Sequence, residues 1–93
     1  LYTLTKGALA GFNKSLARDL APRGITVNVV HPGPTNTQMN PEDGEFSAYV
    51  MPGIAMGRYA QPEEIANVVA FVASPAASYM TGSEVFVDGG HTA

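Results

Sequence analysis

Cysteine is absent from all 93 residues, which excludes disulfides and thiolate metal ligands. Basic residues are scarce too: five lysines and arginines against eight acidic residues leave a formal charge of -3. With no cluster of cations to meet a phosphate backbone, nucleic acid is excluded as an expected partner. Only two histidines occur, His31 and His91, far apart and with no carboxylate pattern around them, so no metal site is expected. Long apolar runs are missing as well. The stretch from Val68 to Ala73 is far shorter than the roughly 20 residues a membrane span needs, and no signal peptide is visible. The chain reads as soluble, without a membrane partner, and its lack of cysteine fits a reducing cytoplasm.

What is present is ordinary for a globular protein: 45% apolar residues argues against disorder, and the length permits one domain at most. From Tyr2 to about Leu20 the apolar residues Leu4, Ala8, Leu9, Phe12, Leu16 and Leu20 recur at spacings of three and four, which predicts a helix with one buried face. Pro22 and Gly24 end it. Ile25 to Val30 is β-branched and almost continuously apolar, as in a strand of a parallel sheet covered on both faces. After Pro32-Gly33 a long loop carries Met39, Phe46, Tyr49, Met51, Ile54 and Met56. It reads either as a lid with an apolar side or as a surface loop packed down by its own side chains.

A second helix is expected to start at Gln61-Pro62-Glu63-Glu64, with proline in the first turn and carboxylates at the positive end of the dipole. Ser74-Pro75 ends it. Glu84 to Val87 reads as a last strand, closed by Asp88-Gly89-Gly90. Strand, crossover helix and strand make a βαβ unit, but two strands and two helices cannot cover both faces of a parallel sheet. Together with a first residue other than methionine, this predicts a piece of something longer, with the missing strands upstream.

Tyr2 and Lys6 are spaced i, i+4, which puts a phenol and an ammonium on one helix face. A free phenol titrates near about 10, and a cation within roughly 4 to 6 Å favours the phenolate, so Tyr2 could serve as a general acid and base. Alone, the pair is a weak signal, and an amphipathic surface feature is the expected reading of it. Pro32-Gly33 leaves the carboxyl end of a strand, where open α/β sheets bind ligands. Asn28, inside the apolar strand, must find hydrogen-bond partners and is expected to be structural. His31 is expected to be a hydrogen-bonded structural histidine rather than a pocket-lining one, and His91 to be exposed.

These segments resemble the short-chain dehydrogenase/reductase family. The likeness rests on Tyr2-Thr3-Leu4-Thr5-Lys6-Gly7-Ala8, on Asn28-Val29-Val30-His31-Pro32-Gly33 with Thr37, and on Gly82-Ser83-Glu84-Val85-Phe86-Val87-Asp88-Gly89-Gly90, in the family's order and spacing. The resemblance implies a doubly wound, Rossmann-like α/β fold with a parallel sheet. Residues 1–93 would be the C-terminal part of a single dinucleotide-binding oxidoreductase domain: catalytic helix, strand, lid loop 34–57, helix and final strand.

It also implies roles. Tyr2 would exchange a proton with the substrate oxygen and contact the cofactor, and Lys6 would bind the nicotinamide ribose and lower the tyrosine's pKa. Pro32, Gly33, Thr35 through its backbone amide and Thr37 through its hydroxyl would flank the carboxamide of NAD or NADP, with local turn capping as the other duty open to the threonines. The implied reaction interconverts an alcohol and a carbonyl on a small, possibly hydrophobic substrate, and the implied assembly is a homodimer or homotetramer.

Departures accompany the likeness. The glycine-rich turn for the pyrophosphate, the residue that chooses NAD or NADP, and the catalytic serine lie in none of these residues, and Leu4 and Thr5 replace smaller residues. Two other readings stay open: a nucleotide-binding or sequestering regulatory protein with little redox activity, and an assembly module.

Overall fold

The computed structural model describes residues 1–93 except for the side chain of Tyr2. Its elements run α1 (Tyr2–Leu20), β1 (Val29–Pro32), the short α2 (Ser47–Val50), α3 (Pro62–Val72) and β2 (Glu84–Val87), with 3-10 turns at Ala21–Arg23, Met51–Gly53 and Pro75–Ala77. The chain divides into two compact units, Leu1–Val30 with Phe71–Val85 and His31–Ala70 with Phe86–Ala93. β1 and β2 pair as a sheet. The Val29 N–H donates to Ser83 O and, four residues on, Gly33 N–H donates to Val87 O. Both chains advance together, so the strands are parallel.

In the first unit α1 stops as its sequence predicts. Gly24 takes the left-handed conformation at φ 75°. Its N–H bonds Ala21 O at 2.9 Å and the Ile25 N–H reaches back to Leu20 O at 3.3 Å, the paired closure of a Schellman motif. The buried face of α1 is not the expected one. Asn13 and Ala17 are buried, whereas Leu4, Leu9 and Phe12 are exposed. Gly82 lies beside Ala17, where an added Cβ would stand 3.4 Å from the Ala17 methyl, an ordinary contact distance. Asn13 Nδ2 and Lys14 Nζ, both at 3.3 Å, donate to Ser83 O and Gly82 O. Asn13 Oδ1 is buried without a hydrogen-bond partner.

The strand expected from Ile25 begins only at Val29. Before that point side chains share the pairing with one backbone bond, from the Gly82 N–H to Val27 O at 2.7 Å. Thr81 Oγ1 accepts the Val27 N–H at 3.1 Å, and the Asn28 amide spans the gap, donating to Met80 O at 3.2 Å and accepting the Ser83 N–H at 3.1 Å. Asn28 is therefore structural, as expected. Nor is the segment covered on both faces within this chain, since Ile25 is 41% exposed.

The second unit holds residues 34–57, which are not a plain loop: α2 and the Met51–Gly53 turn lie within them. Ile54 is buried, but Met39, Phe46, Tyr49 and Met56 face solvent, so most of the segment's apolar side chains do not pack it down. Tyr59 is fully buried, its hydroxyl without a hydrogen-bond partner. α3 and β2 keep the limits expected of them. Among the described residues no helix is long and apolar enough to cross a membrane.

Candidate active site

At the carboxyl end of β1 the chain turns through Pro32, Gly33, Pro34 and Thr35. Gly33 is fixed by its neighbour: a Cβ there would lie 2.5 Å from Asp88 Cα and 2.7 Å from Asp88 Cβ, closer than real atoms approach. Glycine is thus required by the packing of one strand end on the other, before any ligand is considered. Two residues on, Thr35 bridges to Ala60 in parallel fashion. The bonds run from Ala60 N–H to Pro34 O at 2.9 Å and from Asn36 N–H to Ala60 O at 2.8 Å. In such a bridge the bonded groups flank the central residue, so Thr35's own N–H points away from Ala60.

The threonine hydroxyls have local duties. Thr35 Oγ1 donates to Gly33 O at 2.9 Å, and Thr37 Oγ1 accepts the Asn40 N–H at 3.1 Å. Asn36 Oδ1 accepts the Glu42 N–H at 2.8 Å. Short polar side chains therefore hold this turn from within, as such residues do. Thr37's hydroxyl retains a proton to donate.

Facing the turn is the end of β2. Asp88 Oδ1 accepts the Gly90 N–H at 3.1 Å, and Oδ2 accepts the Thr92 N–H at 3.2 Å and the Thr92 hydroxyl at 2.5 Å. The Thr92 hydroxyl, more than any other group, holds the Asp88 carboxyl below the usual carboxylate range. Asp88-Gly89-Gly90 is thus a self-closed strand end, as expected of it. A cleft of about 100 Å³ lies beside it, lined among others by Pro34, Met56, Arg58, Glu64, Val87 and Asp88.

Arg58 and Glu64 form a two-pronged ion pair, Nη1 to Oε1 at 2.7 Å and Nη2 to Oε2 at 2.9 Å. Glu64 Oε1 also accepts the Gln61 N–H at 2.9 Å, the return half of a capping box at the start of α3. Arg58 first, and then the Gln61 N–H, lower the Glu64 pKa to about 2. The acidic residues opening α3 were visible in the sequence as partners of the helix dipole. Arg58 was not: nothing in the order of residues marks a cation six positions upstream as the partner.

Of the expected site residues, Pro32, Gly33, Thr35 and Thr37 gather in the second unit, while Tyr2 and Lys6 belong to the first, one turn apart on α1. The Tyr2 side chain lies outside the described residues; Lys6 is exposed. His31 stacks on Phe86, ring centres 4.6 Å apart and planes at 16°, and His91 is exposed.

Comparison with known proteins agrees along the whole chain. Residues 1–92 match the family model described as Enoyl-(Acyl carrier protein) reductase. The cyclic-di-GMP-binding biofilm dispersal mediator protein of Escherichia coli is 47% identical over 88 residues, covering 95% of this chain and 37% of that protein. The 3-oxoacyl-[acyl-carrier-protein] reductase FabG of Aquifex aeolicus is 47% identical over 90 residues, covering 96% and 36%. A blue fluorescent protein from a metagenomic library, solved in complex with NADPH, matches with a TM-score of 0.92 at 49% identity, covering 100% of this chain and 38% of that one. The chain thus spans little more than a third of the length of these relatives, over a stretch that carries the Rossmann-type parallel α/β architecture. It belongs to the short-chain dehydrogenase/reductase family.

Proposed function

We propose that this chain serves an oxidoreductase that interconverts an alcohol and a carbonyl compound with NAD or NADP. The observation that carries the reading is the match of the whole chain to an NADPH-bound protein at a TM-score of 0.92, with Tyr2 and Lys6 spaced one turn apart on α1. When bound, the nicotinamide supplies or accepts hydride. The residues here have separate tasks. Tyr2 holds or moves the proton at the substrate oxygen. Lys6 favours the phenolate by its charge and binds the cofactor ribose. Thr35 offers its backbone N–H, turned away from Ala60, to the carboxamide, and Thr37 offers its hydroxyl proton. Pro32 and Gly33 set that turn at the carboxyl end of a parallel strand, the position at which open α/β sheets hold ligands.

Residues 34–57 act as a lid over a substrate with some apolar surface. Their exposed Met39, Phe46 and Tyr49 support that role. Assembly into a homodimer or homotetramer is supported by the exposed Leu4, Leu9 and Phe12 of α1.

The test is a spectrophotometric assay of the native protein with NADH and NADPH against a panel of ketones. Turnover that falls at least about 100-fold in Tyr2→Phe, with cofactor affinity retained, supports the assignment. Absent turnover, or turnover unchanged by that substitution, removes it. A second reading, a nucleotide-binding regulator with little redox activity, is favoured by the likeness to the biofilm dispersal mediator. It predicts cofactor binding in calorimetry without oxidation of NADPH by any ketone.

A further inference from the structure

The segment Arg58–Gln61 is held at every residue. Arg58 is bound by both oxygens of Glu64. Tyr59 is fully buried. Ala60 brackets Thr35 through its N–H and its carbonyl, and the Gln61 N–H returns to Glu64 Oε1. One carboxylate therefore grips both ends of the strip whose middle forms the bridge. A guanidinium meets a carboxylate here in its fork geometry, which fixes direction as well as distance. The Arg58 Nη1 donates a further bond to Tyr59 O at 3.1 Å, so the ion pair grips the strip's backbone too.

We infer that Glu64 is a positioning residue for the backbone N–H of Thr35: by clasping Arg58 and Gln61 together it sets the strip that orients the turn after β1. The role assigned to that N–H rests on the oxidoreductase reading above; the clasp itself does not. Without the carboxylate the strip keeps Tyr59 but loses the restraint on its ends, and the bridge opens more often. The Gly33 bond to Val87 belongs to the strand ladder and has no part in the clasp.

The experiment compares the native protein with Glu64→Ala and Glu64→Gln by residue-resolved amide hydrogen exchange and by steady-state kinetics with NADPH. In Glu64→Ala the Asn36 and Ala60 amides should exchange about tenfold faster while the Gly33 amide is unchanged. The KM for cofactor should rise about fivefold with kcat within about twofold, the effect of weakening one hydrogen bond to the ligand. Glu64→Gln keeps an acceptor for Gln61 but loses the second anionic oxygen, and should fall between. It also carries the test if the alanine variant does not fold.

Unchanged exchange at Asn36 and Ala60 overturns the inference. Faster exchange with an unchanged KM reduces the clasp to a structural one and overturns the positioning role. Should the unsubstituted protein neither bind nor turn over a nicotinamide cofactor, the oxidoreductase reading falls. The exchange data would then decide, by themselves, whether Glu64 governs the bridge.

Discussion

Gly33 and Asp88 are packed so closely that a single added carbon at Gly33 would stand 2.5 Å from the Asp88 Cα. The obstacle is backbone, which cannot swing aside as a flexible side chain would. Gly33→Ala should therefore destabilise the native protein by about 2 to 4 kcal/mol, read as a lower midpoint in urea at an unchanged slope. A midpoint equal to that of the unsubstituted protein would show that the two strand ends are not in this contact.

Acid should loosen the start of α3. Glu64 has its folded-state pKa lowered from 4.5 to about 2, so the stability it contributes is present above about 4.5 and is lost as pH falls through about 2. Asp88, also lowered, acts in the same direction. Glu64→Gln should flatten the acid limb of the stability curve between those two values and leave the curve above pH 6 parallel to the original. Thermal melts at a series of pH values measure it; identical acid limbs would mean that the ion pair is not formed in solution.

Asn28 makes two bonds at once across to Met80 and Ser83. Removing both in Asn28→Ala leaves a carbonyl and an N–H to find other partners and should cost about 2 kcal/mol by chemical denaturation. Asn28→Asp keeps the acceptor for Ser83 but sets a carboxylate against the Met80 carbonyl, and should be no more stable than the alanine variant. If aspartate restores full stability, the Met80 bond is not formed.

Leu9 and Phe12 lie one turn apart on α1 and are 47% and 63% exposed. If they form a subunit contact, Phe12→Glu places a charge in it, and light scattering should report a smaller assembly at equal concentration. An unchanged mass would move the contact elsewhere.

Periodicity and turn chemistry made much of the fold readable. The limits of α1, α3 and β2, the left-handed Gly24 and the stop at Ser74-Pro75 all follow from local signals that act within a few residues. Burial was less legible. The stripe of Leu4, Leu9 and Phe12 has the spacing of a core face, yet the face that packs within this chain is Asn13, which bonds Ser83 O, and Ala17, which lies beside Gly82. Likewise Ile25 to Asn28 has the composition of a strand, but beside one backbone bond, from the Gly82 N–H to Val27 O, the Thr81 and Asn28 side chains make its links. Composition carries no information about those links, since they depend on residues more than fifty positions away.

The site divides along the same line. Pro32 and Gly33 are singled out because a strand running into Pro-Gly ends where open α/β sheets hold ligands, and Thr35 and Thr37 by the family resemblance; the fold gathers the four in the second unit. Gly33's contact with Asp88 and the hold of Arg58 on Glu64 are relations between distant positions. They became visible only once the chain was folded.

The fully buried ring of Tyr59 sits between two residues gripped by the same acid. Adding or deleting one residue between 58 and 61 would turn that ring outward or break the grip, whichever end moved. Changes in length should therefore be borne by 38–53, where the chain is mostly exposed, and refused by 58–64. That sets a boundary for engineering: graft before residue 58, and leave the clasped strip intact.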